Sequence, residues 1–392
     1  MTTSARLHVS KEFPAMLERI DALGASVEAN ADAADKLGRL TDDTAQSLLA
    51  TGIVRASLPA NLGGDEFAPR QLIQTIERLS YYDAAAGWTM MALQMTGATA
   101  AYLGAVAVAE LFPDVIGGNH ALLSGQGTQP GRAVPVDGGY LVSGEWQFAS
   151  GVALATHIHS ATLVEGTGEP RVVAMPKSKV HLVDNWDVLG LRATSSIDYH
   201  CTDVFVPHTY TYPATTMVPV NGGAVYGLGI VNMSTIMHTG WALGVGRRLL
   251  DELKLYASKK SGTFNAAVDT AQFYAEYANA EARLRAARAW AMQVWQGSEE
   301  TLDAGELLST EQETLIRLVL NHVTWTVHDV GQTVHRWAAT TAIRRGLIDR
   351  FLRDLGTGTQ HITSGPLVLQ NCGKWLSGAH PEAHWEFLDL AG

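Results

Sequence analysis

The sequence is poor in features that mark several common protein classes. It has only two cysteines in 392 residues, Cys201 and Cys372, and they lie far apart without a C-x-x-C motif. We therefore expect no disulfide and a location in the reducing cytoplasm. There are 28 Lys and Arg residues against 39 Asp and Glu, for a formal net charge of -11. Because no basic cluster offsets this charge, we expect no nucleic-acid partner and no attraction to an anionic membrane.

Long apolar runs and familiar catalytic motifs are also missing. The apolar stretch at residues 98–109 is too short to span a bilayer, and the N-terminus lacks the apolar core of a secretory signal. No G-x-G-x-x-G, G-x-x-x-x-G-K-[ST], H-E-x-x-H or G-x-S-x-G motif occurs. The sequence therefore predicts neither a Rossmann or P-loop nucleotide site nor the commonest metalloprotease and α/β-hydrolase sites.

The periodicity of apolar residues divides the chain into three predicted domains of an α+β protein. Residues 1–120 have helical spacing and form an N-terminal helical domain. Residues 121–212 contain short strands around the turn signal Asp137, Gly138 and Gly139, and they predict a central antiparallel β domain. Residues 213–392 return to long helical periods, including predicted helices near 241–257 and 341–355, and predict a four-helix bundle.

Several side chains have both a structural and a functional interpretation on spacing alone. His157 and His159 share a face of a probable strand, but no third ligand lies at a suitable spacing, so no metal site is predicted. The segment at 146–151 (WQFASG) fits either core aromatics with a turn serine or the wall of a binding site. Ser124 fits a strand edge or a site position. His361 fits a backbone-bonded helix end or a general acid or base.

Four further segments, in the same order along the chain, resemble the acyl-CoA dehydrogenase superfamily. They are residues 57–64 (SLPANLGG), 186–196 (WDVLGLRATSS), 243–250 (LGVGRRLL) and 281–288 (EARLRAAR). The resemblance implies an N-terminal helical domain, a central β domain and a C-terminal helical bundle. Members are commonly homotetramers formed through that bundle, and the same assembly is expected here.

One branch of the superfamily fits better than the true dehydrogenases. WQFASG is similar to the W-x-F-x-S-G segment of the oxygenase components of two-component flavin-dependent monooxygenases. Arg353, Asp354 and His361 resemble that branch too, and residues 354–362 (DLGTGTQHI) lack the Glu that is often the dehydrogenase base. The resemblance implies an enzyme that takes reduced FMN or FAD from a separate flavin reductase. With O2, it would hydroxylate or N- or S-oxidise a small aromatic or secondary-metabolite substrate through a C4a-hydroperoxyflavin.

The same resemblance assigns roles to individual positions. Ser150 is expected near flavin N5, beside Gly151, which lets the ring approach. The remaining assignments are Trp146 and Phe148 as walls of the flavin, Ser124 as a lining residue, His361 as an acid or base facing the substrate, and Arg192, Thr194 and Ser195 as ligands of the flavin phosphate.

One position departs from the pattern of phenol hydroxylases in this branch. These enzymes often carry a His about eight residues after a Gly-Trp pair, whereas here Gly87 and Trp88 are followed by Thr96. Thr96 is expected at the substrate site without the phenol-deprotonating base. N-oxidation, S-oxidation or attack on a larger or more acidic aromatic substrate therefore stays open. Two alternative functions are an acyl-CoA dehydrogenase, with Glu281 as the candidate base, and a scaffold or binding protein without catalysis.

Overall fold

The computed structural model describes residues 6–392, in which helices flank a central sheet on both sides along the chain. The α-helices in this range are α1 Phe13–Leu37, α2 Asp42–Ala50, α3 Pro69–Tyr82, α4 Ala84–Gly97, α5 Ala105–Leu111, α6 Gly229–Lys260, α7 Ala271–Asp303, α8 Thr310–Trp337, α9 Leu347–Gly358 and α10 Pro366–Leu376. The strands are β1 Leu123–Val136, β2 Gly139–Trp146, β3 His157–Val164, β4 Pro170–Pro176, β5 His181–Val183, β6 Asp198–Pro207, β7 Thr211–Pro213, β8 His384–Glu386 and β9 Asp389–Ala391. The α+β class is confirmed, whereas the limits of the three domains stay a prediction.

The central sheet has the strand order β5-β6-β2-β1-β3-β4-β7. The predicted hairpin is present, because Val136 pairs with Gly139 and Gly138 takes a left-handed φ of 76° between them. However, β1 and β3 run parallel, so the sheet is mixed and the prediction of an antiparallel β domain is wrong on this point. A turn signal fixes only the strands it joins. The chain after β2 instead crosses to the far side of β1 through residues 147–156, which include most of WQFASG.

Small residues bring the long helices into close contact. A side chain at Gly240 of α6 would place its Cβ 2.5 Å from the Ile73 carbonyl oxygen of α3, and one at Gly244 would lie 2.3 Å from that of Glu77. Both distances are too short for a side chain, so glycine is what allows α6 to pack directly on the α3 backbone. The α9 helix begins at Leu347 rather than near 341 as predicted.

The helix α4 carries Trp88 and is fixed at its first turn. The carboxylate of Asp83 caps it by accepting a hydrogen bond from the Ala86 amide at 2.7 Å. The indole Nε1 of Trp241 on α6 donates to the Ala84 carbonyl at 2.8 Å. Together these contacts hold the start of α4 against α6, which positions the residues of the site described next.

Two other expectations concern single features. Cys201 and Cys372 are both buried free thiols. Among the helices described here, none combines the length and apolar character that crossing a membrane requires.

Candidate active site

The WQFASG segment leaves the sheet after Trp146 and forms a loop pinned to residues 194–197. The amide of Ala149 donates to the Ile197 carbonyl at 3.0 Å, and that of Gly151 to the Thr194 carbonyl at 2.8 Å. Phe148 and Gly151 both have positive φ, 66° and 79°. These turns leave Phe148 60% exposed and Ser150 half-buried at the end of the loop.

A chain of hydroxyl groups starts at Ser150. Its Oγ lies 2.7 Å from Ser196 Oγ, which lies 2.6 Å from Thr194 Oγ1, and Thr194 Oγ1 is 2.7 Å from the Leu191 carbonyl oxygen. At the other end, Nε1 of Trp88 donates to Ser150 Oγ at 3.1 Å.

The two ends of this chain fix the direction of its protons. A carbonyl only accepts, so Thr194 donates to Leu191, Ser196 donates to Thr194 and Ser150 donates to Ser196. An indole N–H only donates, which agrees with Ser150 accepting from Trp88. Ser150 Oγ therefore keeps one lone pair for a further partner.

Aromatic rings adjoin the other side of Trp88. The Trp88 indole contacts Trp241, His238 and His361 edge to face, with centroid distances of 4.9, 5.2 and 5.8 Å. The imidazoles of His238 and His361 stack on each other at 4.0 Å and 29°. Trp88 thus joins the Ser150 hydroxyl chain to a pair of histidines.

Burial keeps both imidazoles neutral near neutral pH. It lowers the pKa of His238 to about 4, and it lowers the pKa of His361 well below its ordinary value with help from the neighbouring His238. His238 was not among the residues predicted for the site. It lies three residues before Trp241 on the same face of α6, but this spacing alone does not distinguish a site histidine from a core one.

A buried carboxylate connects α9 to the loop that begins the hydroxyl chain. Asp354 Oδ1 accepts from the Leu191 amide at 2.6 Å, and the Arg353 guanidinium donates to the Leu189 carbonyl at 2.9 Å. Between them, Gly190 lies so close to α9 that its Cβ would be 2.1 Å from the Arg353 carbonyl oxygen. Burial and the nearby Asp83 raise the pKa of Asp354 to about 7.

The predicted flavin walls separate in the structure. Trp146 is completely buried on β2, where it stacks on Tyr199 at 5.3 Å and donates to the Ala161 carbonyl at 3.0 Å. It belongs to the core of the sheet, where it has no exposed face, and its role as a flavin wall stays a prediction that this position does not favour. Phe148 has left the strand, and its exposed ring lies 6.1 Å from that of Trp186.

Two further residues predicted at the site, Thr96 and Ser124, are buried and donate hydrogen bonds to backbone carbonyls. Thr96 is buried, and its hydroxyl donates to the Leu123 carbonyl at 2.5 Å, joining α4 to β1. Its role in binding a substrate stays a prediction that this burial does not favour. Ser124 is also buried, and its hydroxyl donates to the Ser150 carbonyl at 2.8 Å. Its position supports the Ser150 backbone rather than a direct contact with the reaction.

The three residues predicted to hold a phosphate differ in their burial and in their partners. Arg192 donates to the Val188 carbonyl at 2.9 Å and lines a cleft of about 610 Å³ beside α1 and α9. Thr194 is fully buried and its hydroxyl donates to the Leu191 carbonyl, so its role as a phosphate ligand stays a prediction that this position does not favour. Ser195 has a φ of 45° and is half-buried.

Glu281, the base considered for a dehydrogenase, lies elsewhere on α7. Its carboxylate accepts from Arg247 at 2.9 Å and from Arg285 at 2.6 Å. Burial alone would raise its pKa, but these hydrogen bonds outweigh burial and lower it. A carboxylate held ionised by two arginines is poorly suited to remove a proton from carbon.

The residues around Ser150 fit the ring system of a flavin. An isoalloxazine is flat and largely apolar, with nitrogen and oxygen atoms along one edge. Ser150 supplies a hydroxyl with a free lone pair, Phe148 an exposed aromatic face, and Trp88 and His361 neutral rings. This neutral set suits the ring, whereas the arginines lie at the separate cleft beside Arg192.

Comparisons with known proteins agree with this geometry. Residues 236–365 match the family described as "Acyl-CoA dehydrogenase, C-terminal domain". An indole-3-acetate monooxygenase of Acinetobacter baumannii is 29% identical over 360 residues, covering 88% of this chain and 90% of the relative.

Two solved structures share the fold. The crystal structure of 3-HSA hydroxylase from Rhodococcus sp. RHA1 has a TM-score of 0.87 at 22% identity and covers 93% of this chain and 96% of its own. The structure of XiaF from Streptomyces sp. in complex with FADH2 and glycerol has a TM-score of 0.85 at 18% identity and covers 93% and 96%. The chain is therefore similar in sequence to flavin-dependent monooxygenases, shares the fold of the two solved structures, and matches the acyl-CoA dehydrogenase C-terminal domain over residues 236–365.

Proposed function

We propose that this chain is the oxygenase component of a two-component flavin monooxygenase that binds reduced flavin at Ser150 and oxygenates a small aromatic substrate. The observation that carries the proposal is the Ser150 hydroxyl, half-buried between the hydroxyl chain and Trp88, with His361 on the other side of that indole. The Trp88 indole thus contacts both a hydrogen-bonding group for the flavin and a histidine for the substrate.

The direction of the hydroxyl chain supports reduced rather than oxidised flavin as the ligand. Because Ser150 donates its proton to Ser196, it can accept a further hydrogen bond but has none to give. Nitrogen N5 bears hydrogen in reduced flavin and a bare lone pair in the oxidised form. The N–H of the reduced ring therefore complements Ser150, whereas the oxidised ring meets a second lone pair.

Reduced flavin, when bound, supplies the two electrons that activate O2. The protein's own residues orient the flavin ring, exclude water and hold a proton near the reacting groups. Ser150 holds the N5 edge, Ser124 fixes the backbone beneath it, and Phe148 covers an aromatic face. The buried indole of Trp88 excludes water from the side of the histidines. His361 holds a hydrogen-bonding group toward the substrate.

The proposal includes a reductase partner, a cytoplasmic location and a homotetramer. The absence of a nicotinamide-binding Rossmann motif from the sequence supports a separate source of reduced flavin. The A. baumannii relative, an indole-3-acetate monooxygenase by name, supports an aromatic substrate. The arginine-paired Glu281 argues against the dehydrogenase alternative.

A product assay without any reductase tests this function. The protein is mixed with FMN or FAD that has been chemically reduced, O2 and indole-3-acetate as the first probe in a panel of aromatic compounds. We expect an oxygenated product with reduced flavin and none with oxidised flavin plus NADH. Formation of H2O2 alone with every probe, at the rate of free reduced flavin, would contradict the proposal.

A matched pair of variants places that activity at Ser150. Ser150→Ala should raise the fraction of reduced flavin that ends as H2O2 instead of product, because it removes the hydrogen-bond partner of the ring edge. Ser377→Ala removes an exposed hydroxyl that donates to the Lys374 carbonyl and should leave this fraction unchanged. Equal H2O2 fractions in both variants would exclude Ser150 as the flavin contact.

A further inference from the structure

Thr96, predicted at the substrate site, is buried within the fold, whereas His238 and His361 stack on each other beside Trp88. We propose that His238 and His361 form a neutral acceptor and donor pair that selects substrates with an uncharged N–H or O–H on the ring. In this arrangement, His238 Nε2 accepts from the N–H or O–H of the substrate, and His361 Nε2–H donates to the oxygen of a substrate that carries an O–H. The inference rests on the proposed function and names the substrate class of the same site.

The acceptor role of His238 follows from its helix. Its Nδ1 lies 2.8 Å from the Ser234 carbonyl oxygen, four residues earlier on α6. A carbonyl cannot donate, so Nδ1 carries the proton. In a neutral imidazole the other nitrogen is then a bare acceptor. Within residues 6–392, no other group forms a hydrogen bond with His238 Nε2, so that lone pair is available to a ligand.

The donor role of His361 follows from the opposite arrangement. Its Nδ1 lies 2.8 Å from the Thr363 hydroxyl and accepts from the Thr363 amide at 3.4 Å. An amide N–H only donates, so Nδ1 bears the lone pair and Nε2 bears the proton. The two stacked rings, 4.0 Å apart, therefore present opposite hydrogen-bonding characters at their Nε2 atoms.

The surroundings keep both rings uncharged. His238 is 5% exposed, and in the described part of the chain neither ring has a carboxylate as a hydrogen-bond partner to stabilise an imidazolium. Placing a positive charge on one ring would also disfavour charge on the other, because their centroids are only 4.0 Å apart. A neutral N–H or O–H therefore suits the pair better than a carboxylate at this position.

The histidine pair supplies the polar contact to the substrate that the Thr96 hydroxyl does not. The Thr96 hydroxyl is used within the fold, by donating to the Leu123 carbonyl. The acceptor comes instead from α6, through His238, which contacts the same Trp88 indole as His361. A weakly basic, neutral imidazole orients an N–H or O–H and polarises the attached ring without removing the proton. In this proposal His238 therefore orients the substrate and does not act as a base.

Three ligands of nearly equal shape test the acceptor. Indole carries the N–H, benzofuran replaces it with oxygen at almost the same size, and 1-methylindole blocks it. Calorimetric titration of the full chain, with and without saturating FMN, should show indole binding about three- to tenfold more tightly than benzofuran, the value of one hydrogen bond. Equal affinities, or failure of indole to bind in either state, would overturn the proposal.

Two variants assign the preference to His238. His238→Phe keeps an aromatic ring against His361 but removes the acceptor, so the indole-to-benzofuran affinity ratio should fall to about one. His238→Gln restores an acceptor and should recover part of the ratio. A ratio that is unchanged in His238→Phe would show that another group reads the N–H.

A measurement on the unaltered protein does not depend on the folding of any variant. The 15N chemical shifts of the imidazoles should show the proton of His238 on Nδ1 and that of His361 on Nε2, with both rings neutral at neutral pH. The same tautomer in both rings, or a charged ring, would overturn the pair. Neither experiment requires turnover, so a failure here is distinct from the absence of oxygenated product in the reductase-free assay.

Discussion

Replacing Asp354 with asparagine should make the protein more stable at alkaline pH and remove a pH dependence of its stability. Burial, together with the Asp83 carboxylate, raises the pKa of Asp354 from 3.8 to about 7. A group whose pKa is higher in the folded state stabilises the fold fully below its unfolded pKa, and this contribution is lost as pH rises to the folded pKa. Stability should therefore fall between about pH 4 and pH 7 because of this residue.

The size of the effect follows from the shift. A rise from 3.8 to about 7, at about 1.4 kcal/mol for each pKa unit, corresponds to roughly 4 kcal/mol. Asparagine keeps an oxygen for the Leu191 amide and carries no charge. It also removes a negative charge near Arg350 and Arg353, which lowers the gain. We expect Asp354→Asn to exceed the wild type by about 1–3 kcal/mol near pH 8 and to match it near pH 4.

Urea unfolding followed by tryptophan fluorescence at several pH values measures this difference. Asp184→Asn, at an exposed aspartate, serves as the matched control and should follow the wild type at each pH. A variant less stable than the wild type near pH 8, with the same pH slope, would refute the reasoning. That result would mean that the buried carboxylate is stabilised by its arginine neighbours more than it is destabilised by burial.

Four further substitutions test separate features of the molecule. Trp146→Ala should lower the free energy of unfolding by about 3–5 kcal/mol in urea melts, whereas Phe148→Ala should mainly weaken flavin binding, measured by fluorescence titration. Ser196→Ala should free the Ser150 proton to donate, so that the ratio of affinities for reduced and oxidised FMN falls about three- to tenfold in anaerobic titrations. Gly190→Ala should clash with α9 and lower the melting temperature. Each prediction is contradicted if the quantity named for its substitution is the same as in the wild type.

The sequence predicted much of the fold because its strongest signals are local. The turn at Gly138 and the apolar period of α6 each depend on neighbours within a few residues. The parallel pairing of β1 with β3 depends on where the chain goes after β2, and no local pattern encodes that path. The same limit explains why the start of α9 was predicted near 341. The helix begins at Leu347, after a break that helical periodicity alone does not indicate.

The residues of the candidate site were predicted from the resemblance to a known family and not from their spacing alone. The resemblance placed Ser150 and His361, which the structure brings to opposite sides of one indole. The structure buries Trp146 in the sheet, and an alternating strand pattern does not tell such a core aromatic from one that lines a site. His238 was missed because a single histidine in an apolar helix has no meaning until the fold stacks it on His361.

A crystal structure of the protein with anaerobically reduced FMN would show whether reduced flavin binds at Ser150. We expect flavin N5 at about 3 Å from Ser150 Oγ, with the ring against Phe148 and its far side toward His361. A ring bound in the cleft beside Arg192, with Ser150 bonded only to Trp88 and Ser196, would contradict this expectation.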